Sequence, residues 1–139
     1  MVTRIDSDLL STEDLRTLAL IHSYCGHEHD AERLWERICE RDDVGLGDFY
    51  MLASTEMMLG HTEKAITNLR REISASDTRG NTYYLSVSVI SLAFLLAEEG
   101  QKAEALDVLS RLDNSESTHI HGVGMVTKHD LLVKLGVSN

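Results

Sequence analysis

The stretch Leu52-Ala-Ser-Thr-Glu-Met-Met-Leu-Gly60-His-Thr-Glu-Lys-Ala65 decides how this chain is read, because its spacing recurs on both sides. The shared frame is Leu-Ala, six residues, Gly, four residues, Ala. It occurs again at Leu18-Ala19, Gly26 and Ala31, and at Leu92-Ala93, Gly100 and Ala105. The first two glycines are 34 residues apart and the last two are 40 apart. A period of this size marks stacked helix-turn-helix units. The alanines let two helices of a hairpin approach closely, while larger residues interlock around them. The glycine supplies the left-handed backbone that ends one helix and turns the chain.

Reading outward, Ser11 is the expected N-cap of the first helix, with Asp14 at its positive end. Leu10 and Leu15 sit where a hydrophobic staple would pair them. Leu15, Leu18, Ala19, His22 and Cys25 follow helical spacing, and a second helix is expected from about Glu28 to Arg41. The second unit runs from about Asp48 to Leu59 and from Thr62 to Ser74. The third runs from about Thr82 to Glu99 and from Lys102 to Leu112. The six extra residues before the third glycine are placed in a Ser76–Thr82 loop. Asp113 to Thr118 reads as a polar loop. Residues 122–136, with Val126, Leu131, Leu132 and Leu135, read as a helix that caps the last hairpin. The expectation is an all-α solenoid: one domain over 1–139, three antiparallel hairpin repeats at about 12–43, 46–77 and 82–113, and a C-terminal capping helix.

Composition supports helix, since proline is absent from all 139 residues. The net charge of −10 argues against nucleic acid or an anionic membrane as partner. The most apolar run, Tyr83 to Ala97, is shorter than the roughly 20 residues of a bilayer-spanning helix. Met1 to Asp8 carries acids where a secretory signal would be basic and apolar, so a cytoplasmic location is expected. Cys25 and Cys39 fall too far apart along a hairpin to bond, which fits reduced thiols.

These residues closely resemble the tetratricopeptide repeat family, over about residues 12 to 113. Large residues in register are Leu15, Phe49 and Val89, then Trp35, Leu69 and Leu109. His22 and Glu56 depart from the family's apolar pattern, and Asp43 and Asp77 stand where its terminal proline would be. The resemblance implies a concave groove lined by the first helix of each unit. Its candidate binding residues are Arg16, Leu20, Tyr24, Tyr50, Ser54, Met57, Met58, Ile90 and Phe94. Arg16 alone matches the cationic carboxylate clamp of the family's chaperone-tail binders, so that clamp is not expected. The remaining surface is apolar and suits a helical or extended apolar segment of another protein. Small acidic three-repeat members of the family include chaperones of specialised secretion systems, which implies a chaperone or adaptor.

Two other classes compete. A self-assembling scaffold would use the apolar 83–97 helix as the interface of a homo-oligomer, unless the chain's own terminal element covers it. A metal-binding protein would use Cys25, His27 and His29, with His22 a turn earlier. No CxxC or HExxH spacing supports the latter, and Cys25 is expected to face the interior. His119, His121 and His129 form a second scatter. Gly45-Leu-Gly47 lacks the surroundings of a phosphate loop, and Asp42-Asp43 and Glu98-Glu99 are adjacent rather than facing pairs. No enzymatic activity and no cofactor are expected.

Overall fold

The structure, a computed structural model, describes residues 9–80, 82–113 and 115–137. The N-terminal segment read for a targeting signal, Asn81 of the Ser76–Thr82 loop, and Asn114 of the polar stretch lie outside the described residues. Six helices come first: α1 (Thr12–Tyr24), α2 (Glu28–Cys39), α3 (Asp48–Met58), α4 (Thr62–Arg79), α5 (Tyr83–Glu98) and α6 (Lys102–Leu109). A two-stranded antiparallel hairpin follows, β1 (Ser117–Ile120) and β2 (Gly124–Thr127), and then α7 (Lys128–Lys134). Each helix from α1 to α6 packs on its neighbour in sequence.

The three repeat turns have one backbone geometry. The N–H groups of Gly26, Gly60 and Gly100 donate three residues back, to Ser23, Met57 and Ala97. The next N–H in each turn reaches five residues back: His27 to His22, His61 to Glu56 and Gln101 to Leu96, each at 2.8 Å. This is a Schellman end, and it requires the positive φ of 76–80° that the three glycines adopt. All six alanines of the frame are fully buried where the helices of each hairpin meet. Ser11 caps α1 by accepting the Asp14 N–H at 3.1 Å.

Among the described residues the interior has two clusters. Leu15, Ala19, Ala31, Trp35, Ile38 and Leu52 form the smaller, with Leu10 packed against it. The larger spans α3 to α7 and centres on α5, whose residues from Ser86 to Ala93 are all buried.

The described residues are mostly helical, in keeping with the all-α expectation, with one two-stranded sheet among them. Three finer expectations are corrected. The expected 122–136 helix is a β-strand over Gly124–Thr127 and a helix only from Lys128, and Ser117–Ile120 pairs with that strand. Thr118, Ile120 and Val126 alternate inward, which is a strand's period of two. Thr127 then starts α7 through a reciprocal capping box with Asp130, whose N–H reaches the Thr127 hydroxyl at 2.9 Å. The extra residues before the third unit lengthen α4 to Arg79 instead of forming a loop from Ser76. No proline stops the helix, the Ser76 hydroxyl finds Glu72 at 3.3 Å, and Gly80 ends it with φ of 69°. Finally, α6 stops at Leu109, short of the expected Leu112.

Candidate binding cleft

A cleft of about 300 Å³ opens between α3, α5 and β1. Tyr50, Ser54, Met57 and Met58 supply one wall along α3. Ser91, Phe94 and Leu95 of α5 supply the second, and His119, Ile120 and His121 close the third side. Tyr50, Met57 and Phe94 pack against the large core, so the apolar wall is anchored from behind. Lys134 of α7 stands 5.0 Å from the Phe94 ring centroid and pairs with Glu98, bracing that ring from the C-terminal side. The two imidazoles and the Ser54 and Tyr50 hydroxyls put polar groups around an apolar surface. That composition suits an amphipathic guest at the small end of ligand-pocket volumes.

The α3 wall is held by a buried carboxylate. Glu72 of α4 accepts the N–H groups of Gly47 at 3.0 Å and Tyr50 at 3.1 Å, satisfying the open end of α3. Gly47 is needed here twice over. Its φ is 90°, and a Cβ would stand 2.4 Å from the Tyr84 ring. Tyr84 in turn lies 6.1 Å, centroid to centroid, from Tyr50. Burial pushes the Tyr84 hydroxyl up from its ordinary range, with the nearby Tyr83, Glu72 and Asp48 acting in the same direction.

The candidate residues divide. Tyr50, Ser54, Met57, Met58 and Phe94 converge in the cleft. Arg16 does not: its guanidinium grips Asp48 with two hydrogen bonds, at 2.9 and 2.6 Å, and ties α1 to the start of α3. That pairing, with Glu13 alongside, holds Arg16 firmly in its charged form. Leu20 lies beside Arg16 over the α2–α3 linker, in a separate depression. Tyr24 is almost wholly exposed, and Ile90 is fully buried in the large core, so neither lines the cleft. His119, Ile120 and His121 enter unforeseen. Their signal was the alternation from Ser117 to Thr127 around Gly122 and Gly124, which is a hairpin pattern.

The residues of the competing readings are also placed. Helix α5 packs against α4, α6, β1 and α7, which bury its residues from Ser86 to Ala93, while Tyr83 at its start stays exposed. Cys25 is exposed rather than inward-facing, because it is the C-cap of α1 where the chain turns away. Cys39 is half-buried, and burial, reinforced by Asp48 and Glu72, pushes its thiol up to about 12. Cys25, His27 and His29 do not gather: the His29 ring lies toward His61, while His27 approaches His22. Among the described residues no helix is long and apolar enough to cross a membrane.

Comparison with protein-family models, with curated proteins and with solved structures returned no match to the chain.

Proposed function

We propose that this protein is a non-catalytic binding module, a tetratricopeptide-like stack that holds an apolar helical or extended segment of another protein. The cleft between α3, α5 and β1 is its seat. One observation carries the reading: Tyr50, Ser54, Met57, Met58 and Phe94, chosen from the repeat register, line one accessible apolar cleft on a fixed backbone. Methionine adapts to varied guests and aromatics supply large contact area at low entropy cost. A chaperone or adaptor acting in the cytoplasm fits this chemistry, with the net charge of −10 favouring guests flanked by basic residues.

The test is selection of displayed peptides on the wild-type protein, followed by affinity measurement on variants. Met58 is partly exposed, so Met58→Asp and Ser54→Arg should fold normally. Selected peptides should carry apolar residues spaced for a helix or strand. Each variant should weaken them at least about tenfold, or ~1.4 kcal/mol. Leu20→Asp, in the other depression, should leave them unchanged. Equal affinity for wild type and the cleft variants would reject the cleft.

A further inference from the structure

The α1–α2 turn carries a second grouping of chemistry-bearing side chains, far in role from the cleft. His22 sits in the last turn of α1, His27 at the N-cap of α2, and Asp30 in the first turn of α2. One ligand atom from each lies within 4.8 Å of the others, and the two imidazole rings are 5.7 Å apart. The backbone holds this arrangement, because the His27 N–H donates to the His22 carbonyl at 2.8 Å across the Gly26 turn. Among the described residues, no hydrogen bond engages either imidazole, and His27 makes no side-chain cap. Arg33 pairs with one Asp30 oxygen, Oδ1.

The turn itself does not demand these side chains. The other two turns repeat its backbone bonds with Glu56, His61 and Lys64, and with Leu96, Gln101 and Glu104 in the matching places. Glu56 there is occupied by Asn68, and His61 by Glu32. The first turn is therefore the one whose matching residues are two unengaged imidazoles and a carboxylate.

We propose that His22, His27 and Asp30 bind a divalent transition-metal ion of the zinc class, with water completing the coordination. Two imidazoles and a carboxylate are ligands of the borderline hardness that zinc takes, and three protein ligands leave an open position. Bonds of about 2.1 Å in tetrahedral geometry place ligand atoms about 3.4 Å apart. The remaining approach is made by His27, which is exposed and free to turn its ring inward. His22 and Asp30 are half-buried and form the fixed part of the site. Arg33 orients the Asp30 carboxylate, as outer partners of metal ligands do. The negative charge of the whole chain draws cations toward it. Cys25 and His29 are not ligands.

Calorimetric titration of the full chain, free of any affinity tag, with Zn2+ alone tests this. Saturable binding of one equivalent is expected. His22→Gln, His27→Gln and Asp30→Asn should each weaken it at least about tenfold, whereas Cys25→Ser and His29→Gln should stay within about twofold. His27 is exposed, so its variant should fold and decides the matter even if another does not. Zn2+ should also shift the ring resonances of His22 and His27 in the NMR spectrum and leave those of His119 and His121 in place. Absence of saturable binding, unchanged affinity in His27→Gln and Asp30→Asn, or loss on Cys25→Ser would each overturn the site.

Discussion

Helices α1 and α5 occupy the same place in the repeat, yet one is open to water and the other is enclosed. Ile21 of α1 is 51% exposed, and its counterpart Leu95 of α5 is 7% exposed. His22 is half-buried where Leu96 is 1% exposed. The two helices share the leucine-alanine frame, its alanine fully buried in both, and the same turn geometry, so the repeated frame is not the cause. What differs is the neighbour. Helix α1 rests on α2 and α3's end, while α5 is flanked by α4 and α6 and covered by β1 and α7. A repeat sets the hairpin, and the end elements set which faces stay wet.

That contrast predicts unequal costs for equivalent truncations. Leu92→Ala, at a fully buried position of α5, should cost about 4 kcal/mol in urea denaturation. Leu18→Ala, its half-buried partner in α1, should cost about 1–2 kcal/mol. Equal values would mean that the two ends are packed alike.

The hairpin's role is tested next. Ile120 points from β1 into the large core, and Ile120→Asp buries a charge against α5 unless the hairpin lifts away. The variant should lose about 3 kcal/mol and expose apolar surface to a hydrophobic dye. A change below about 1 kcal/mol would show that α5 needs no cover.

Between the two ends, Glu72→Gln asks how firmly α4 fixes the α3 wall. The amide would turn one acceptor into a donor facing an N–H, at Gly47 or Tyr50. A loss of about 2 kcal/mol is expected in thermal or urea unfolding. Loss of peptide binding should accompany it, since Tyr50 lines the cleft.

The smallest effect concerns pH. Burial pushes the Glu56 carboxyl up, against the opposing hydrogen bond from Asn68. An acid with a raised folded-state pKa contributes stability that is complete below its unfolded value and lost as pH rises through the folded one. Glu56→Gln stays neutral throughout, so it should be the more stable protein at neutral pH. The gap should close as pH falls toward the ordinary glutamate range. A gap independent of pH would show that Glu56 remains charged at no penalty.

The contrast between the ends also marks what the sequence made legible. The three turns could be read because a glycine and its flanking alanine act within ten residues of each other. Val126, Leu131, Leu132 and Leu135 fit helical spacing, and that overrode the weaker alternation of Thr118, Ile120 and Val126 across two four-residue strands. The α3 wall of the cleft was legible because register alone places Tyr50, Ser54, Met57 and Met58 on one side. Arg16 was misplaced because its partner, Asp48, lies 32 residues away and no local pattern announces such a pair. Ile90 was misplaced for a related reason: whether a helix face is open depends on what packs over it.

Methyl NMR of methionine-labelled protein tests the binding cleft most directly. Among the five methionines, Met57 and Met58 line the cleft, Met51 packs beside the small core and Met125 is exposed on β2. Adding a selected apolar peptide should shift the Met57 and Met58 methyl signals and leave those of Met51 and Met125 in place. Shifts confined to Met51 or Met125, with Met57 and Met58 unmoved, would contradict the assignment of the cleft.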